Sequence, residues 1–179
     1  MEGASEPLTD RLAPLLGVAR EAITARLEQR EPRFETGGPA FARRAPIFCT
    51  VRIDGALRGC IGSLVPKSDD LTTETASRAV SAAFGDSRFP PHTIEELPRM
   101  TVEISVLADP EPVDDPGELD PIRFGVIVVA GDGRRGVLLP SVEGVDTVEE
   151  QLSIARRKAG IGPREPVRIQ RFETLKLRE

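Results

Sequence analysis

Leu8, Leu12, Leu15, Leu16, Ala19, Ile23 and Leu27 return at helical spacing, which predicts an amphipathic helix over 9–29 with Thr9 or Asp10 as its cap. Pro14 fits that helix only in its first turn or at a shifted start. Pro32, Gly37, Gly38 and Pro39 make 31–39 a loop. Beyond it the apolar pattern changes to strand formers: Ile47, Phe48, Thr50, Val51 and Ile53. Asp54-Gly55 follows, so 46–53 and 56–61 read as the arms of a hairpin. A two-residue turn there sets Ile53 opposite Ala56, Val51 opposite Arg58 and Cys49 opposite Cys60. Both cysteines, and Arg58 with them, then lie on one face.

The stretch 68–84 reads as a second helix, with Leu71, Thr75, Ala79, Ala82 and Ala83 along one stripe. A polar loop with Pro90 and Pro91 carries the chain to a short helical turn at 94–97. Val102, Ile104 and Val106 alternate with Thr101, Glu103 and Ser105, which predicts a half-buried strand over 101–107. An acidic, proline-rich connection at 109–117 leads to a buried strand at 126–130, a Gly131-Asp132-Gly133 turn and a return strand at 135–139. A third helix at 148–159, closed by Gly160, precedes a final strand at 167–172. This order predicts an α+β protein with a mainly antiparallel sheet and flanking helices, one domain over 1–179 with a flexible tail at 1–7.

Charge and composition narrow the function classes. A net charge of −5 gives no general attraction to nucleic acid or anionic membranes. Trp and Tyr are absent, which opposes the stacking platforms of single-strand binding, although Arg156-Arg157-Lys158 is a local basic cluster. No run is long and apolar enough to span a bilayer, and two cysteines without a secretory pattern suggest free thiols in a cytoplasmic protein.

Candidate chemistry concentrates in Leu57-Arg58-Gly59-Cys60-Ile61-Gly62. Arg58 can clamp a phosphate or carboxylate, or pair with Glu103 or Asp86. Cys60 can act as a nucleophile or pack as a small hydrophobe. Gly59 and Gly62 can open backbone N–H groups to an anion, or mark a bulge or a tight crossing of strand and helix. Cys49, between Phe48 and Thr50, reads as core, and a disulfide to Cys60 is disfavoured in a reducing compartment. His92, the sole histidine, reads as a surface loop residue. Asp86 and Arg88 read as a local salt bridge. Glu103 and Ser105 share a strand face that can line a cleft, and Ser141 ends a strand on a second wall. One histidine and two cysteines lack zinc-ligand spacing, and no cofactor motif is present.

With these segments placed, the chain resembles the AMMECR-domain family, known in bacteria and archaea as AmmeMemoRadiSam system protein A. Four blocks carry the resemblance: Leu57-Arg58-Gly59-Cys60-Ile61-Gly62; the stretch 83–91 with Asp86 and Arg88-Phe89-Pro90-Pro91; Val102-Glu103-Ile104-Ser105-Val106-Leu107; and Gly136-Val137-Leu138-Leu139-Pro140-Ser141-Val142. Arg157-Lys158-Ala159-Gly160 is a weaker echo. The resemblance implies two lobes around a cleft with the cysteine motif beside it, and two partners, a Memo-like protein and a radical SAM protein. It tips Glu103 toward the cleft. Glu143 stands where relatives usually have tryptophan, and Ala155-Arg156-Arg157 where the helix often carries another cysteine.

Three functions follow as expectations. In the first, the chain is an enzyme or catalytic subunit for a polar, anionic substrate: Cys60 supplies the thiolate, Glu103 moves or holds a proton, and Arg58, Gly59, Gly62, Ser105, Asp86, Arg88 and Ser141 form the binding surroundings. In the second, the same cleft binds a ligand or partner without chemistry. The third, a nucleic-acid-associated regulator, has the least support.

Overall fold

The structure is a computed structural model that describes residues 7–37 and 41–179. The tail expected at 1–7 falls, except for Pro7, outside the described residues, as do Gly38 and Pro39 of the first loop. The chain divides into two compact units, one running up to Val106 and including Leu175–Glu179, the other Leu107–Thr174. The architecture is α+β, and its strands form two separate four-stranded sheets instead of the one read from the pattern.

In the first unit the predicted N-terminal helix is broken. Helix α1 (Leu8–Leu12) stops before Ala13, and α2 (Pro14–Leu27) restarts with Pro14 at its first position, where a missing N–H costs nothing. Helix α2 ends with Gln29 in the left-handed region (φ 56°) and an Arg30 N–H to Ala25 O bond of 3.0 Å. Strands β1 (Ile47–Ile53) and β2 (Ala56–Gly62) form the expected hairpin, with both turn residues Asp54 and Gly55 at positive φ. Helix α3 (Leu71–Phe84) begins at Asp70, whose Oδ1 accepts the Thr73 N–H at 2.8 Å. After a 3-10 turn (Ile94–Arg99), β3 (Met100–Leu107) pairs antiparallel with β1.

The second unit contributes β4 (Glu111–Val113), β5 (Gly125–Ala130), β6 (Arg135–Leu138), helix α4 (Val148–Lys158) and β7 (Val167–Phe172). The last strand, β8 (Thr174–Arg178), completes the first sheet in the order β2-β1-β3-β8; the second sheet runs β4-β7-β5-β6. Two strands thus escaped the sequence reading. The connection at 109–117 contains β4, and 167–172 is not the final strand.

Each sheet buries one face under helix. In the first unit Leu15, Ala19, Ile23, Ala79 and Ala82 pack on Ile47, Cys49, Val51, Val102 and Ile104. In the second, Ala155 packs on Val126, Val128, Ala130 and Leu138. Both layers rest on the same device. A Cβ at Gly59 would lie 2.0 Å from the Ala82 carbonyl oxygen of α3, and one at Gly136 would lie 1.8 Å from that of Ala155 in α4. Helix backbone therefore sits directly on strand backbone, and small residues fill the thin space between. Gly136→Ala is expected to cost about 1–3 kcal/mol as overpacking. Gly131→Ala, whose added Cβ meets nothing within 4 Å, should change stability by less than about 0.5 kcal/mol. Urea-unfolding midpoints measure both, and equal values for the two variants would refute the close-approach account.

Candidate functional site

The hairpin register is the first fact about the site. Ile53 faces Ala56 and Arg52 faces Leu57, but Val51 faces Gly59, Thr50 faces Cys60 and Cys49 faces Ile61. Arg58 is one extra residue, a β-bulge. The bulge overturns the expected pairing of Val51 with Arg58 and of Cys49 with Cys60. Since side chains alternate along a strand, it sends the two cysteines to opposite faces of the sheet, which leaves no disulfide geometry between them. Cys49 is fully buried among the helix-side residues, and burial pushes its thiol above the ordinary value. Cys60 is half-buried on the other face.

On that face a row crosses three strands. Thr50 Oγ1 donates to Cys60 Sγ at 3.2 Å, and Thr50 lies opposite Glu103 of β3. Cys60 and Glu103 therefore stand two strand spacings apart, about 10 Å between Cα atoms. Glu103 accepts from Arg178 Nε of β8 at 2.5 Å; the Arg178 side chain is 65% exposed. Ser105, two residues along β3, is buried on the same face across from Phe48, whose ring covers Gly62. The structure thus brings Cys60, Glu103 and Ser105 together, and adds Thr50 and Arg178, which the sequence reading missed.

Arg58 points elsewhere. Its Nε and Nη2 donate to Glu96 at 2.9 and 3.2 Å, and Nη1 and Nη2 donate to the Pro90 and Pro91 carbonyls. It pairs with neither Glu103 nor Asp86, and it fastens the loop that leaves α3. Burial works against the Glu96 charge, but the Thr93 N–H and Arg58 hold its carboxyl below the usual range. His92 is another correction: it is buried, its Nδ1–H donates to the Ala83 carbonyl at 2.9 Å, and its Nε2 has no hydrogen-bond partner. Pro90-Pro91 folds it back against the end of α3, and a polar loop sequence gives no sign of that.

Asp86 and Arg88 do form the expected salt bridge, at 2.7 Å, and it serves Cys60. Strand β2 is an edge of its sheet, so one side of its backbone lacks a strand partner. Asp86 Oδ2 accepts the Cys60 N–H at 2.9 Å, and Arg88 Nη2 donates to the Cys60 carbonyl at 3.5 Å. The pair therefore occupies the place of a neighbouring strand. The Arg88 guanidinium, opposed by burial and helped by the N–H groups of Cys60 and Arg88, holds the Asp86 carboxyl well below the ordinary carboxylate range. Nearer the start of α3, Glu74 and Arg78 form a buried ion pair at 2.8 Å, and Glu74 also accepts the Lys67 and Ser68 N–H groups.

Ser141 belongs to the second unit. It has φ 55°, its hydroxyl donates to Ile122 O at 2.8 Å and its N–H to Pro121 O, so its polar groups hold a turn. Among the described residues no three His, Cys, Asp or Glu side chains converge to hold a metal ion, and no helix is long and apolar enough to cross a membrane.

A two-sheet α+β fold with a bulged hairpin presenting Arg-Gly-Cys-Ile-Gly defines a class of small domains, and the comparisons identify it. The AMMECR1 family profile matches residues 16–177, and the chain belongs to the AMMECR1 family. A Thermotoga maritima protein is 52% identical over 132 residues, 73% of this chain and 75% of that one. Protein MJ0810 of Methanocaldococcus jannaschii is 38% identical over 169 residues, covering 87% of this chain and 83% of that one. Protein CA_C1420 of Clostridium acetobutylicum is 37% identical over 171 residues, 93% of this chain but 36% of that one, so the chain spans about a third of that relative. The crystal structure of the uncharacterized protein PH0010 from Pyrococcus horikoshii superposes with a TM-score of 0.83 at 31% identity, over 95% of this chain and 92% of that one.

The sign of the Asp86 contribution follows from its lowered folded-state pKa. Its stabilisation is complete above the unfolded value of about 3.9 and is lost as pH falls below that toward the folded value. Asp86→Asn is expected to lose stability at neutral pH and to show a shallower acid limb below about pH 4. Thermal melts across pH check this, and parallel curves for the two proteins would refute it.

Proposed function

We propose that this protein is a thiol-dependent enzyme or catalytic subunit acting on a small polar, anionic substrate, with Cys60 as its nucleophile. The observation that carries this reading is the half-buried Cys60, whose sulfur accepts the Thr50 hydroxyl at 3.2 Å on a face shared with Glu103. The residues around it are occupied as scaffold: Gly59 under α3, Asp86 and Arg88 on the backbone of residue 60, and Arg58 on its loop. A scaffold that fixes the backbone of a half-buried cysteine and sets a hydroxyl on its sulfur suits a positioned nucleophile.

In the proposed step the sulfur bonds to an electrophilic carbon of the substrate, the thiol proton passes to Glu103 relayed by the Thr50 hydroxyl that stands between them, and the leaving group departs with the bonding electrons. Glu103 must first release Arg178. An exposed pair of this kind contributes only about 0–1 kcal/mol, so the exchange is cheap. Arg178, freed, takes the substrate anion, the part that Arg58 was expected to play. Thr50 stands between Cys60 and Glu103 in the row and is hydrogen-bonded to the sulfur.

A second reading keeps the face as a binding surface without chemistry, and it draws on the same backbone bonds at residue 60, which make Cys60 a structural node. In either reading we propose that the protein works beside a Memo-like protein and a radical SAM protein. The resemblance implies both. The Clostridium relative, of which this chain spans 36%, is in keeping with a domain that works beside other modules.

Alkylation separates the two readings. In the folded protein iodoacetamide should modify Cys60 and leave Cys49 untouched until unfolding, with Cys60→Ser abolishing the reaction. Thr50→Val, which removes the hydroxyl orienting the sulfur, should lower the rate several-fold. Native Cys60 that reacts no faster than Cys49 would sink the nucleophile assignment and leave the binding reading.

A further inference from the structure

A second site lies wholly within the second unit, on the face of its sheet opposite α4. A pocket of about 630 Å³ opens there, within the range of about 300–1,000 Å³ usual for small-molecule sites. Val129 of β5 lies opposite Arg135 of β6 on one side and opposite Arg168 of β7 on the other. Directly opposed residues share a face, so one row presents arginine, valine, arginine. Val129 is 7% exposed and lines the pocket with both arginines. Gln170, the next residue of β7 on this face, and Pro112 opposite it continue the lining.

What sets these two exposed arginines apart is their placement, one on each side of a buried valine in a single pocket. The chain pairs most of its buried and half-buried guanidinium groups: Arg20, Arg58, Arg78 and Arg171 all face carboxylates, and even exposed Arg99 and Arg123 do. Among the described residues, the guanidinium groups of Arg135 and Arg168 have no ion pair and no hydrogen bond, as is also so for exposed Arg11, Arg26, Arg43, Arg157 and Arg164, so both forks are free to take a ligand. Their Cα atoms are two strand spacings apart, about 10 Å, and their forks can close on one group above Val129. Asp114 lines the same pocket beyond Arg168, without an ion pair of its own. It places an acceptor beside the two cations and so favours a ligand with a hydroxyl or amine next to its anion.

We propose that this pocket binds a small organic ligand through an oxyanion, phosphate or carboxylate, held between Arg135 and Arg168. Its apolar body lies on Val129 and Pro112, and a donor group reaches Asp114. The site shares no residue with the Cys60 row and does not depend on the reading given for that row.

The test uses the whole protein. Inorganic phosphate and acetate are titrated separately at constant ionic strength, and the arginine Nε–Hε resonances are followed by NMR, assigned through Arg135→Gln and Arg168→Gln. Saturable shifts of Arg135 and Arg168 together are expected. Either glutamine variant should weaken binding at least fivefold while its backbone spectrum stays folded, and Cys60→Ser should bind as the parent does. Tighter binding of phosphate assigns the site to phosphate esters, and tighter binding of acetate assigns it to carboxylates. Shifts that fail to saturate, equal shifts in the exposed Arg157 and Arg164, or glutamine variants that bind as the parent does would overturn the proposal.

Discussion

Helix α3 lies so close on β2 that position 59 has no room for a side chain. That constraint organises the first unit. With α3 seated on Gly59, position 59 must face the helix, and the alternation of the strand then turns Cys60 to the opposite face. The bulge at Arg58 makes this compatible with the tight Asp54-Gly55 turn, because it absorbs the residue that would otherwise put Cys60 on the helix side. Close packing and an extra residue together decide which of the two thiols is enclosed and which is presented.

The polar groups of the motif follow from the same geometry. An edge strand pressed by a helix on one face still has unpaired backbone groups along its rim. Asp86 and Arg88 satisfy those of residue 60 with two side chains in place of a strand. Arg58, displaced by the bulge, reaches the carbonyls of Pro90 and Pro91, residues that lack the N–H needed to pair as strand themselves. Side chains that look like a catalytic cluster in the sequence are largely engaged in holding one loop and one edge.

The periodic parts of the fold were legible because their signals are local. The hairpin turn, the α3 stripe of small residues and the alternation of Val102, Ile104 and Val106 each state their own structure. Strand β4 does not: three residues with a proline in the middle become a strand only by pairing with β7. Strand β8 has a readable alternation of Leu175, Lys176 and Leu177, but its membership of the first sheet is a property of topology. Gly59 offers a bulge as one of its readings, but nothing local places the extra residue at Arg58, and that one residue reverses the relation between the cysteines. Strand alternation puts Glu103 and Ser105 on one face of β3, but that Cys60 shares this face depends on cross-strand register and on the bulge. The roles of Thr50 and Arg178 depend on the same register.

The glycine contacts at positions 59 and 136 also bear on how such a domain can diversify. Each fixes a helix against a sheet through backbone atoms, so the helix-covered layers hold little freedom to change residue by residue. The opposite faces of both sheets take no part in that lock. Exposed side chains there, among them Arg178, Arg135 and Arg168, can be exchanged without disturbing the layer beneath. The scaffold thus separates the part of its sequence that must stay fixed from the part in which new ligand preferences can arise.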